Sequence, residues 1–66
     1  MEKPAPYSAQ IDQLRRRSAE FRAKAQKAET PTSRQAYQEL AKMYEQMADS
    51  VADLEALWVM MREREA

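Results

Sequence analysis

The 66-residue chain has no glycine, no cysteine and no histidine. Without cysteine there is no disulfide framework, and without histidine as well the usual zinc sites, thiol nucleophiles and imidazole bases are excluded. Without glycine the sequence lacks the residue best suited to tight hairpin turns and to loops whose backbone closes on a phosphate. A domain this small buries little core of its own and leans on disulfides, metals or oligomerisation. The composition removes the first two, so association is the expected source of stability. No cofactor, metal or catalytic residue is expected, and the protein reads as a non-enzyme.

A net charge is also missing, since eleven Lys and Arg balance eleven Asp and Glu. Whole-chain electrostatics therefore predict no preference for nucleic acid or membrane. No apolar run approaches the length of a bilayer span, and residues 1–6 carry no leader-like apolar stretch, so a cytoplasmic location is expected. The charge that is present is unevenly spread. Between Ser8 and Ala28, Arg15, Arg16, Arg17, Arg22, Lys24 and Lys27 face only Asp12 and Glu20. Between Pro31 and Ala66, Arg34, Lys42, Arg62 and Arg64 face Glu39, Glu45, Asp49, Asp53, Glu55, Glu63 and Glu65. The two halves are electrostatic complements.

What remains is rich in Ala, Glu, Gln, Lys, Arg, Met and Leu, all good helix formers, and the fold class expected is all-α. Its longest pattern runs from Tyr37 to Met61. Tyr37, Leu40, Tyr44, Met47, Val51, Leu54, Trp58 and Met61 alternate steps of three and four, the spacing of a coiled-coil seam. With Tyr37 at position a and Leu40 at d, a second line of Ala36, Met43, Ser50 and Leu57 follows g, and Ala41 and Ala48 follow e. One neighbouring helix cannot cover so wide a stripe.

The first helix is predicted over residues 8–28, after an extended lead-in at residues 1–7 set by Pro4 and Pro6. Ser8 is the candidate N-cap, with Asp12 in the opening turns. The apolar seam of this helix is Tyr7, Ile11, Leu14, Ser18, Phe21, Ala25 and Ala28, and its flanks are basic, so it needs one neighbour. The second helix is predicted over 31–64. Thr30 can cap it with Pro31 in the first helical position, or Thr32 with Gln35 can form a capping box. So short a loop makes the helices an antiparallel hairpin within a single domain, 1–66. Folding at residues 30–31 should pair Ala25 with Tyr37, Phe21 with Leu40, Ser18 with Tyr44, Leu14 with Met47, Ile11 with Val51 and Tyr7 with Leu54.

The second helix is expected to outlast the first by about 12 residues, leaving Leu57, Trp58, Val59, Met60 and Met61 on an overhang. Pro4, Ala5 and Pro6 folded across Trp58 would cover it; the alternative favoured here is a subunit interface. The expected assembly is a homodimeric four-helix bundle, with α-helices joined antiparallel along Ala36, Met43, Ser50 and Leu57, Trp58 and Met61 enclosed, and Leu57 approaching Met43 of the other copy. The overhang could also seat another protein.

Arg15, Arg16 and Arg17 form the one stretch that resembles a nucleic-acid or acidic-lipid contact. Successive residues splay around a helix, so the structural alternative is that Arg15 and Arg17 reach acids of the second helix such as Glu45 and Asp49. Glu45, Asp49 and Asp53 fall on the solvent side, away from any inward metal-binding arrangement. Tyr37 and Tyr44 read as packing residues.

The segment LRRRSAEFRAKAQKAETPTSRQAYQELAKMYEQMA, Leu14 to Ala48, resembles a group of short α-proteobacterial proteins of uncharacterised function. An Arg-rich helix with spaced alanines, a proline loop and the pattern LAxxYExxA, here Leu40, Ala41, Tyr44, Glu45 and Ala48, carry the resemblance across about half the chain. It implies a bacterial, intracellular helical hairpin and brings no activity with it. The functional expectation is a small interaction or adaptor protein that self-associates through its second helix. The alternative is a nucleic-acid-binding regulator using the basic first helix.

Overall fold

The computed structural model describes residues 7–65, which form two α-helices and, among the described residues, no strand. Helix α1 spans Ser8–Lys27 and α2 spans Pro31–Glu65. They lie side by side as an antiparallel hairpin. The long axis is 55 Å, and the radius of gyration is 15.9 Å against about 11 Å for a compact domain of this length. The molecule is a rod.

Tyr7, not Ser8, occupies the N-cap of α1, and its carbonyl accepts the N–H of Ile11 at 2.9 Å. Ser8 is already helical. Tyr7 is half-buried at the head of the apolar stripe, so the helix begins where that stripe begins. At the other end Ala28, expected to be helical, is an extended cap residue whose N–H bonds to the Ala25 carbonyl at 3.3 Å. Chains often leave a helix through a left-handed glycine. No described residue here has positive φ, and the break is made with an extended alanine instead.

Thr30 starts α2. Its hydroxyl oxygen accepts the N–H of Ser33 at 3.1 Å and donates to Ser33 Oγ at 2.8 Å, while its carbonyl accepts the N–H of Arg34 at 3.0 Å. Pro31 stands in the first turn, where its missing N–H costs nothing.

The seam of α1 is Ile11, Ser18 and Ala25, all buried, with Leu14, Phe21 and Ala28 half-buried between them. On α2 the buried residues are Ala41 and Ala48, and Tyr37, Tyr44, Val51 and Glu55 are half-buried on the same side. The face turned to α1 therefore follows a and e (Tyr37, Ala41, Tyr44, Ala48, Val51, Glu55), a roll of roughly 45° from the expected a and d face. The expected partners Met47 and Leu54 are exposed at 41% and 52%. Small residues explain the roll. Ser18 and Ala25 on one helix and Ala41 and Ala48 on the other let the backbones approach closely enough for the Ser18 hydroxyl to reach the Ala41 carbonyl at 2.9 Å. A Met47 side chain in that seam would hold them apart.

Ser18 reaches the Ala41 carbonyl, and Tyr44 packs on Phe21. The Phe21 ring lies 6.1 Å from that of Tyr37 and 5.5 Å from that of Tyr44, stacked against both. It sits level with Leu40 and Ala41, midway between the two tyrosines. A helix of 20 residues is about 30 Å long and one of 35 about 52 Å, so the last three turns of α2 extend beyond α1.

Candidate functional site

The roll of α2 exposes a second line of apolar residues. Ala36, Leu40, Met43, Met47, Ser50, Leu54, Leu57 and Met61 alternate steps of four and three along nearly the whole helix. Leu40 is half-buried and the rest are exposed, with Met43, Leu57 and Met61 at 54%, 55% and 61%. This line is centred roughly 95° around α2 from the face that contacts α1. Of the residues expected at an interface, Ala36, Met43, Ser50, Leu57 and Met61 belong to it. Met47 and Leu54 join them, taken from the predicted hairpin seam. The signal that could have found them is the pairing of Ala41 and Ala48 with Tyr37 and Tyr44, a complete small-and-aromatic face that leaves d unused.

Trp58 stands beside this line on the a face, beyond the reach of α1, with the Arg62 guanidinium 4.8 Å over its ring. It is 36% exposed, and Val59 and Met60 next to it are more open. The idea that Pro4, Ala5 and Pro6 cover Trp58 concerns residues outside those described. Along the same edge of the line, nearer the loop, runs the aromatic ladder of Tyr37, Phe21 and Tyr44, with Lys24 Nζ 5.3 Å from the Phe21 ring centre.

The arginines are distributed differently from expectation. Arg17 pairs within α1 with Glu20 at 3.5 Å, and the bond across to Glu45 comes from Arg22, not from Arg15 or Arg17. Arg22 lies more than a turn nearer the loop than Arg17 and reaches Glu45 on the edge away from the aromatic ladder. Arg15 and Arg16 are exposed and make no ion pair among the described residues.

Among the described residues no three acids converge as a metal site would require. The depression between the helices, lined by Gln10, Gln13, Leu14, Arg17 and Tyr44, is open to solvent and offers no base within reach of a nucleophile. No helix is long and apolar enough to cross a membrane. The exposed α2 line is the feature that stands apart from an ordinary surface, because contiguous apolar stripes of this length mark interaction sites.

No family model, curated protein or solved structure matches the chain. The functional reading rests on the site itself.

Proposed function

We propose that the protein is a non-enzymatic helical interaction or adaptor protein that self-associates through α2 as a homodimeric four-helix bundle. The carrying observation is the exposed line from Ala36 to Met61, whose alternating spacing suits a second helix and which covers most of α2. With roughly a right angle between the α1-facing and outward faces, two hairpins joined there would form the square section of a bundle. A bacterial cytoplasmic setting, drawn from the resemblance of Leu14 to Ala48, belongs to the same proposal.

The experiment is sedimentation across a hundredfold dilution, paired with thermal unfolding over the same range. A dimer whose melting temperature falls on dilution is expected, because mass action ties stability to association. A monomer at about 100 µM with a constant melting temperature refutes the reading.

Exposed Arg15 and Arg16 favour a second reading, a nucleic-acid-binding regulator. It requires retardation of DNA or RNA that weakens steeply with salt. Unchanged retardation in an Arg15→Gln, Arg16→Gln variant would count against it.

A further inference from the structure

We infer that the outward face of α2 is occupied by α2 of a second copy running antiparallel, and that each Trp58 completes the aromatic ladder of the other copy. The inference rests on the self-association proposed above and adds orientation, register and the partner of the overhang. Paired antiparallel about a point between Ala48 and Asp49, the line matches itself in every layer: Met47 with Ser50, Met43 with Leu54, Leu40 with Leu57, Ala36 with Met61. That point lies next to the middle of α2, so the two helices overlap along their full length. Met47 with Ser50 and Met61 with Ala36 set large against small, and Met43 with Leu54 and Leu40 with Leu57 set large against large. The register differs from one built on Ala36, Met43, Ser50 and Leu57 alone, because the roll of α2 adds Met47 and Leu54 to the face.

The overhang then has a seat. Trp58 shares its line on α2 with Tyr37, Tyr44 and Val51, which in the hairpin meet α1; Trp58 lies past the end of α1. A two-fold axis across the helices puts this line on the same side of both copies. Trp58 of one copy falls level with Glu39 of the other, within about 3 Å along the axis of Phe21, where Tyr37 and Phe21 stack. An indole there extends the ladder by one ring at ordinary aromatic packing distance. Charge agrees with this placement. Glu65, a heptad beyond Trp58 on the same line, arrives beside the interhelix loop of the second copy. There Lys24 and Lys27 occupy the last turn of α1, so Glu65, whose own turn also holds Arg62 and Arg64, arrives beside a basic helix end.

The flank beside the seam on the side away from α1 gives the same preference. Its residues are Glu39, Gln46, Asp53 and Met60. Antiparallel pairing opposes Glu39 with Met60 and Gln46 with Asp53, so no acid faces an acid.

The chain has no cysteine, so introduced thiols are its sole thiols. Met43→Cys and Leu54→Cys are made in separate chains; both sites are exposed in the hairpin, so neither change touches its seam. The two chains are mixed at about 100 µM, oxidised in a glutathione buffer and weighed by mass spectrometry under non-reducing conditions. Sedimentation and Trp58 emission are recorded alongside. The expected result is a dimer whose cross-linked product is the mixed species, with Trp58 emission moving to the red on dilution. In the antiparallel register the two Met43 positions lie about 16 Å apart along the axis and the homodimeric disulfide does not form. A dimer in which Leu54→Cys links to itself and the mixed species is absent is parallel; it overturns this inference and leaves self-association standing. A dimer with mixed cross-links but unchanged Trp58 emission overturns the seat assigned to Trp58. A monomer overturns self-association and this inference together.

Discussion

The Ser18 hydroxyl donates to the backbone carbonyl of Ala41 at 2.9 Å, and both residues are almost wholly out of water. A hydrogen bond from a side chain of one helix to the main chain of the other requires close backbones. It also fixes which face of α2 looks at α1, because the Ala41 carbonyl is reachable only when the a and e line is turned inward.

Enlarging Ser18 should therefore force the helices apart. Ser18→Leu is expected to destabilise by about 1–3 kcal/mol through overpacking, whereas Ala23→Leu, on the exposed side of α1, should be close to neutral. Urea denaturation of the two variants checks this, and equal tolerance would place Ser18 outside the seam.

Ala48 and Met47 are sequence neighbours with opposite duties. Ala48 is 0% exposed and Met47 is 41% exposed. Ala48→Met should cost about 1–3 kcal/mol at any protein concentration, by the same overpacking. Met47→Ala should leave the hairpin unfolding of dilute samples unchanged and lower the melting temperature only where the protein associates. Melting curves at two concentrations separate the outcomes.

The start of α2 depends on one hydroxyl. Thr30→Ala removes the acceptor for the Ser33 N–H and should cost about 1 kcal/mol, while Thr32→Ala, exposed and not the cap, should change stability little. The comparison is a shift in denaturation midpoint measured in the same buffer.

The Arg22 and Glu45 side chains bond across the hairpin but stand 60% and 50% exposed. A double-mutant cycle with Arg22→Gln and Glu45→Gln is expected to return less than about 1 kcal/mol, shrinking further at 1 M salt. A larger, salt-independent coupling would show that the pair is shielded.

Much of the hairpin is legible in the sequence. The spacing of Tyr7, Ile11, Leu14, Ser18, Phe21, Ala25 and Ala28 identifies the buried face of α1, and Thr30 with Pro31 marks the turn. The roll of α2 is harder to read, because its apolar stripe contains four adjacent heptad lines, a, d, e and g. Size favours Leu40, Met47 and Leu54 as core. Close packing favours Ala41 and Ala48, since a smaller side chain brings two backbones together and gains contacts along the whole seam. A periodicity count registers apolar residues and is blind to that gain. The same blindness divides the candidate interface: Ala36, Met43, Ser50 and Leu57 could be read from the line they share and Met61 from its place on the overhang, whereas Met47 and Leu54 become visible only once α1 is seen to leave them uncovered. The cap at Tyr7 escapes for a different reason, as Tyr7 makes no side-chain cap bond and the helix start follows packing.

The last three turns of α2 have no α1 beside them, and that sets their local stability. A free helical segment of about a dozen residues is marginal in water, since each hydrogen bond gained barely exceeds the entropy of the residue it fixes. Amide exchange should therefore divide α2 into two cooperative units. Protection should be high from Tyr37 to Val51 and near that of a fraying end from Leu57 to Glu65, as long as the chain is alone. Any helix that covers Trp58 and Leu57 orders these turns as it binds, so part of the binding free energy is spent on completing α2, and the unprotected amides become a direct counter of occupancy.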